Sequence, residues 1–262
     1  MEPRHKLRAV GLLPERSKVS TEPNGRNRFL SALSQADLAA LAPHLKDCIL
    51  EKGQSLHELG EPYEYVYFPH SGLVSLVAVM GNGETIETAL VGRESAVALT
   101  AGLGSRIAVN RAVVQLPGSA ARTTASRFAA LVEQSPTLRD MTVRHSEALL
   151  AQVQQTVACN IMHDVESRLC KWLLQARERV GADTLPLTHE FLGQMLGVRR
   201  STVTLVARVL QSAGMIHYRR GNITIRDARA LEEASCECFG LVRNQTQHLL
   251  RDPEFPSAKR LD

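Results

Sequence analysis

Residues 185–226 read LPLTHEFLGQMLGVRRSTVTLVARVLQSAGMIHYRRGNITIR, and they carry the strongest structural signal in the chain. Thr188 is a suitable N-cap for a helix that begins at His189. Gly197 supplies a turn position with positive φ, where this helix ends. After the turn, the apolar period resumes at Val203. The pattern predicts two short helices joined by a tight glycine turn, which is a helix-turn-helix.

This pattern is stringent, because it needs particular residue types at seven positions. Five positions have to be apolar, one has to be small where the second helix crosses the first, and the turn needs a glycine. An ordinary helical hairpin is the alternative, and it usually meets only some of these requirements. The sequence meets all seven, with Leu192, Gly193, Leu196, Gly197, Val198, Val203 and Val206.

The second predicted helix starts near Arg200, and its amino end suits the major groove of DNA. That groove is about 12 Å wide and admits a helix whose first turn reaches the base edges. Arginine can bind guanine O6 and N7 together, so we assign base contact to Arg200 and phosphate contact to Arg199 and Arg208. For any single arginine, phosphate contact or solvation is the alternative. The predicted DNA contacts of the two helices are Thr188, Arg199, Arg200, Ser201, Thr202, Thr204 and Arg208.

A β-hairpin pattern follows, from Met215 to Arg226. Its turn contains Gly-Asn, which favours a tight reversal of the chain. A hairpin directly after a helix-turn-helix forms a wing. We predict that Arg219 and Arg220 contact flanking phosphates, with a charged, solubilising turn as the alternative.

The composition is that of an ordinary globular chain. Of 262 residues, 44% are hydrophobic and 22% are charged, which excludes wholesale disorder. No apolar run is long enough for a transmembrane helix and no signal peptide is recognisable, so we expect a cytoplasmic protein without a membrane partner. Residues 187–226 hold six arginines and a single acid, Glu190. This local positive charge favours a polyanionic partner, and a solvated charged face is the alternative.

The rest of the chain divides by periodicity, and the fold class is α+β. Residues 1–27 are polar, basic and proline-containing, which predicts a flexible tail. Short β-branched runs separated by turn residues predict an antiparallel, jelly-roll-like β-roll within a sensor domain at 28–135. The winged helix-turn-helix domain is assigned to 162–230, and a carboxyl-terminal extension to 231–262.

Residues 136–161 predict one long helix with an apolar stripe and few charges after Glu147. Such a helix usually packs against another helix, which predicts a homodimer. Packing against its own β-roll is the alternative. The residues assigned to the dimer interface are Leu138, Met141, Leu149, Val153 and Val157.

The order of a β-roll, a long helix and a winged helix resembles the Crp/Fnr family of bacterial transcription regulators. The resemblance covers about residues 28–230 and is strongest in HDVESRLCKWLL (163–174) and LTHEFLGQMLGVRRSTV (187–203). It implies a cyclic-nucleotide-binding-like roll and a dimer whose two recognition helices read a palindrome in double-stranded DNA. It also implies contact with RNA polymerase.

The resemblance is incomplete at the residues that read DNA. Arg200 matches a family position that contacts a base. Ser201 stands where glutamate is common, and Leu205 stands where an arginine is common. We therefore expect an operator that differs from the usual one of the family.

The sensing residues depart further from the family pattern. Gly92 is retained, but the glutamate that holds the ribose is replaced by Arg93 or displaced to Glu94. Arg106 would hold a phosphate, yet Ile107 lacks the hydroxyl that normally follows. We expect no cofactor and no cyclic-nucleotide effector. A candidate effector pocket would use Gly92, Glu94, Arg106 and Gln154.

No motif indicates an enzyme, because the chain has no nucleophile elbow, P-loop or Rossmann glycine pattern. The five cysteines are an odd number, which argues against a secreted disulfide framework. Cys236 and Cys238 are a weak metal or redox pair, since two ligands are too few for structural zinc. The alternative function is a ligand- or redox-responsive module that acts mainly through a protein partner.

Overall fold

The computed structural model describes residues 27–104 and 106–250. It has the expected α+β architecture, in which a β-roll, a long helix and a winged helix-turn-helix follow one another. Most of the predicted tail lies outside the described residues, but Asn27 is buried. Its side-chain amide donates hydrogen bonds to the carbonyls of Pro69 (2.9 Å) and Ser95 (2.6 Å). Asn27, the last residue assigned to the predicted tail, is therefore held by the roll, and residues 1–26 lie outside the described residues.

Seven short strands form the roll, and all their pairings are antiparallel. The strands are β1 (Lys46–Leu50), β2 (Ser55–His57), β3 (Tyr65–Pro69), β4 (Leu73–Val79), β5 (Thr85–Val91), β6 (Arg111–Leu116) and β7 (Gly118–Thr124). One sheet has the order β1-β7-β3 and the other has the order β2-β6-β4-β5. The flanking helices are α1 (Arg28–Ala32), α2 (Gln35–Leu41) and α3 (Ala125–Gln134), with a short 3₁₀ turn at Ala42–His44 and another at Leu99–Gly102. The fully buried rings of Phe29, Phe68 and Phe128 anchor the roll core.

Helix α4 (Pro136–Met162) runs without interruption for 27 residues. At 1.5 Å per residue its length is about 40 Å. The Ser135 hydroxyl accepts a hydrogen bond from the Leu138 amide, and Pro136 occupies the first turn, where no amide hydrogen is needed. The helix ends at His163, whose backbone is extended.

One apolar stripe of α4 packs against the roll of the same protomer. Leu138 is buried in the roll core, and Met141, Leu149 and Val153 are partly buried against it. The sequence prediction assigned these four residues to a partner helix, whereas the structure packs them on the roll. The reason is that α4 has two apolar stripes, which periodicity alone did not separate. The fifth predicted interface residue, Val157, is exposed.

The second stripe of α4 faces outward. It consists of Val143, Leu150, Val157 and Ile161, which recur at intervals of seven, seven and four residues. Leu150 is 56% exposed, Val157 is 55% exposed and Ile161 is 77% exposed. We call these four residues the exposed α4 stripe. Their spacing places them on one side of the helix, as in a coiled-coil seam.

The winged helix-turn-helix domain follows α4. Its elements are α5 (Val165–Val180), β8 (Thr184–Leu185), α6 (His189–Leu196), α7 (Arg200–Ser212), β9 (Ile216–Arg219), β10 (Asn222–Ile225), α8 (Ala228–Glu233) and α9 (Cys238–Leu250). Its small sheet has the order β8-β10-β9. Helix α8 crosses the boundary predicted at residue 230, and Leu231 is buried in the core of this domain. The domain therefore continues into the predicted extension.

Helices α5 and α6 hold this domain against the roll. The indole nitrogen of Trp172 in α5 donates a 2.7 Å hydrogen bond to the carboxylate of Glu87 in β5. Arg179 of α5 pairs with Glu94 at 2.9 Å, and both side chains are largely buried. These contacts leave the outer face of α7 open. Among residues 27–104 and 106–250, no helix has both the length and the apolar character needed to cross a bilayer.

Candidate nucleic-acid interface

Two glycines shape the turn between α6 and α7. Gly197 ends α6 with a φ of 65°, a left-handed conformation that glycine adopts without strain. Gly193 lies where the turn crosses α6, and a Cβ atom there would lie 2.8 Å from the carbonyl oxygen of Val198. The predicted helix-turn-helix is confirmed, and these two positions require the residue that the sequence supplies.

The outer face of α7 is exposed and basic. Arg199, Arg200, Ser201 and Arg208 all lie on the surface. Arg199 is the N-cap residue of α7, and within the described residues no side chain caps this end of the helix. The first amide groups of α7 are therefore available to a phosphate. Leu205, on the same face, is 63% exposed.

Two of the predicted DNA contacts are less accessible. Thr202 and Thr204 are half-buried. The Thr204 hydroxyl donates to the carbonyl of Arg200, and it also lies 3.0 Å from Nδ1 of His189. Since its single hydrogen is used on Arg200, the Nδ1–H of His189 donates to Thr204. Thr204 therefore has partners inside the module, whereas the sequence analysis assigned it to DNA.

His189 also connects α6 to the wing, because its ring stacks on Tyr218 of β9 with 4.0 Å between the centroids. Burial lowers the pKa of His189, and the positive charges of Arg200 and Arg208 lower it further. The ring is therefore neutral at neutral pH, and both arginines lie near it. Sequence reasoning missed the roles of His189 and Tyr218, because only the fold brings these distant positions together.

The wing turn lies beside the start of α6. Thr188 is exposed, and its hydroxyl accepts a 3.2 Å hydrogen bond from the amide of Phe191, as expected of an N-cap. A Cβ atom on Gly221 would lie 3.8 Å from Cγ2 of Thr188, so the wing and this cap are neighbours. Arg219 and Arg220 are exposed at the turn. The structure thus provides basic side chains on the wing as well as on α7.

The structure does not bring the four predicted effector residues together. The Glu94 carboxylate pairs with Arg179 and accepts a hydrogen bond from the Gly92 amide at 3.0 Å. Arg106 is exposed, and Gln154 is exposed on α4. The reason is that Glu94 faces α5 rather than the interior of the roll.

A different cavity lies between the roll and α4. Its volume is about 70 Å³, and its lining includes His57, Tyr63, Ser95 and His145 but none of the four predicted residues. The Ser95 hydroxyl lies 3.1 Å from Nδ1 of His145. Burial lowers the pKa of His145 to about 3, so the ring is neutral.

Cys236 and Cys238, the weak predicted pair, are both buried. The structure places Cys159 and His163 beside them. Sequence reasoning missed these two ligands, because more than seventy residues separate them from the pair.

Comparisons with known proteins agree with this architecture. A model of the Crp-like helix-turn-helix domain matches residues 167–234, and a model of the cyclic nucleotide-binding domain matches residues 48–135. The global nitrogen regulator of a Nostoc species is 26% identical over 187 residues, which are 67% of this chain and 82% of that protein.

Solved structures show the same fold. A Crp/Fnr-family transcriptional regulator from Eubacterium rectale has a TM-score of 0.62 and 19% identity, over 79% of this chain and 96% of that one. FixK2 from Bradyrhizobium japonicum has a TM-score of 0.63 and 17% identity, over 73% of this chain and 98% of that one. The order of the domains is therefore shared along nearly the whole length of these proteins.

Proposed function

The chain belongs to the Crp/Fnr family of transcription regulators, and on that premise we propose that it binds a palindromic operator as a homodimer. Family membership makes it a DNA-binding regulator and not an enzyme. The observation that carries the proposal is the open, basic outer face of α7 beside the basic wing. In a symmetric dimer, two such helices read half-sites about 34 Å apart along the DNA.

Sequence readout rests on the first turns of α7. Arg200 is exposed there and has the geometry to bind a guanine with two hydrogen bonds. The exposed Leu205 is suited to contact a thymine methyl group. Arg199, Arg208 and the wing arginine Arg219 supply phosphate contacts, which set affinity and orientation.

The exposed α4 stripe supports the homodimer. Isolated apolar residues on a surface are common, but a row at heptad-like spacing along a long helix matches a helix–helix seam. A second copy of α4 is its natural partner, because a twofold axis brings the same stripe together from both subunits.

The small cavity in the roll argues against a cyclic-nucleotide effector. Its volume of about 70 Å³ is well below the ~300 Å³ of even a small ligand pocket. Glu94 is also engaged by Arg179 instead of facing this cavity. We propose that the protein acts in the cytoplasm, where its DNA lies, and that it contacts RNA polymerase as the family resemblance implies.

The test begins with selection of bound duplexes from a random pool by the full-length protein. We expect a palindromic motif and binding that weakens steeply with salt. Arg200→Ala should then lose about 1–3 kcal/mol of discrimination between the selected and a random duplex for each half-site, because one bidentate base contact is removed from each subunit. Competition titrations measure the ratio of the affinities for the selected and the random duplex.

Arg219→Ala is the matched control, since it removes the same charge from an exposed wing position. It should weaken binding to both duplexes equally and reduce the salt slope by about 0.9 for each subunit, about 1.8 for the dimer. An unchanged ratio for Arg200→Ala would refute the base-contact role. Failure to select any motif would favour action through a protein partner.

A further inference from the structure

Three cysteines and one histidine meet where the long helix ends. Cys159 lies in the last turn of α4, and His163 is its C-terminal cap. Cys236 and Cys238 lie at the bend between α8 and α9. The four ligand atoms all lie within 4.8 Å of one another, and all three cysteines are buried.

Local structure explains why these side chains converge. Cys159 and His163 are four residues apart, so they lie on the same side of the helix end. The His163 amide continues the helical pattern by donating to the Cys159 carbonyl at 3.1 Å. Cys236 and Cys238 flank Glu237, and α9 then packs along α4. Two pairs that are distant in sequence therefore face each other across a helix–helix contact.

The distances agree with a tetrahedral metal site. The sulfur atoms of Cys159 and Cys236 are 3.6 Å apart, and Nδ1 of His163 is 3.6 Å from the sulfur of Cys238. A tetrahedral zinc ion with Zn–S of about 2.3 Å and Zn–N of about 2.1 Å needs edges of about 3.8 Å and about 3.6 Å. A disulfide would instead need sulfur atoms about 2.05 Å apart.

The surroundings of the cluster suit metal ligands. Nε2 of His163 lies 3.2 Å from the Glu237 carboxylate, which turns Nδ1 toward the sulfurs. Carboxylate–histidine pairs of this kind orient the ligands of many zinc sites. The Gln155 amide donates to the Cys238 sulfur at 3.0 Å. The buried Lys171 interacts with Cys159, and its charge balances the net negative charge of three thiolates around a divalent ion.

We propose that Cys159, His163, Cys236 and Cys238 bind one Zn²⁺ ion. Four protein ligands close the coordination sphere, which is typical of a structural rather than a catalytic site. On binding, the three thiols release their protons and the neutral imidazole coordinates through Nδ1. The ion links α9 to the end of α4, at the residue where the chain turns into α5. Zinc therefore fixes the joint between the long helix and the DNA-binding domain.

The test measures metal in the full-length protein, purified with a reductant from zinc-supplied cells. We expect about one zinc per chain, in line with a single closed site. Cys159→Ser and Cys238→Ser should lose most of it. Cys48→Ser is the matched control, because Cys48 lies in β1 and outside the cluster. Replacement by Co²⁺ should give the visible absorption of a tetrahedral thiolate site in the wild type and in this control, but not in Cys159→Ser or Cys238→Ser.

Two further variants separate metal binding from folding. His163→Cys should retain zinc, because four thiolates also form a stable site. Glu237→Gln should weaken zinc binding about 10–100-fold in a chelator competition, since the histidine loses its orienting partner. The proposal is overturned if the zinc-supplied wild type holds no stoichiometric metal, or if Cys159→Ser and Cys238→Ser hold as much as Cys48→Ser.

Discussion

Gly193 shows how one missing side chain permits the helix-turn-helix. The carbonyl oxygen of Val198 and the amide of Arg200 pass close over its Cα, and backbone atoms cannot move aside as a flexible side chain can. The residue is helical, where glycine is otherwise unfavourable. Its presence therefore reflects close packing and not helix propensity.

Gly193→Ala should destabilise the protein by about 1–3 kcal/mol, because the added methyl group clashes with the turn. Gly240→Ala in α9 is the control, since a Cβ atom there has open space. Helix propensity alone should make that variant about 0.5–1 kcal/mol more stable. Urea unfolding gives the free energy of unfolding of both variants. Equal stabilisation by the two substitutions would contradict the packing argument.

Residue types predicted the exposed, basic outer face of α7, but they did not predict which hydroxyls are free. Arg200 and Thr204 both lie early in a helix with an outward basic face, so the sequence assigned both to DNA. In the structure Arg200 is exposed, whereas Thr204 bonds to a backbone carbonyl and to His189. A threonine hydroxyl can form its hydrogen bonds with nearby backbone and side-chain groups, and sequence periodicity does not show whether it does so.

At the scale of elements, α4 was predicted almost to the residue, but its neighbours were not. Pro136 and the sustained helical period mark its extent. The period also reveals apolar stripes, yet it cannot tell which stripe meets the roll. That depends on how α3 and the roll pack beside the helix. The structure separates the stripe that includes Leu138 and Leu149 from the exposed α4 stripe.

Leu150→Glu should weaken the proposed dimer at least about tenfold, because a twofold axis buries two unpaired carboxylates at once. Ile49→Glu is the control, since Ile49 is an equally aliphatic, exposed residue of β1. Sedimentation over a range of concentrations gives both dissociation constants. A control that dissociates as readily as Leu150→Glu would show that the stripe is not the seam.

At the scale of the whole molecule, a buried carboxyl group joins the two domains. Glu87 of β5 accepts hydrogen bonds from Ser75 of β4 and from Trp172 of α5. Burial raises the pKa of Glu87 to about 7, although both hydrogen bonds and the charges of Lys171 and Arg179 oppose that rise. Nothing in the sequence predicts this contact, because 85 residues separate Glu87 from Trp172.

Glu87 should make stability depend on pH. In the unfolded chain its pKa is near 4.5, so between that value and about 7 the folded state holds more protons. Stability therefore falls as pH rises, by up to about 3 kcal/mol from about pH 5 to about pH 8. Glu87→Gln removes this titration and keeps an oxygen for Trp172.

Chemical unfolding across that pH range gives the free energy of unfolding of the wild type and of Glu87→Gln at each pH. The variant should gain stability relative to the wild type as pH rises, with the steepest change between the two pKa values. Parallel pH curves for the two proteins would mean that Glu87 does not titrate at the junction.

The dimer proposed on the exposed α4 stripe would also have a consequence for how much protein a cell must make. When single chains predominate, the amount of paired protein grows with the square of the total, by mass action. Monomeric chains expose the aliphatic side chains of this stripe, and proteases and chaperones recognise such exposed apolar surface. With the proposed dimer as the DNA-binding form, and while single chains predominate, halving synthesis would cut operator occupancy by more than half, so regulation would respond steeply to the expression of the protein.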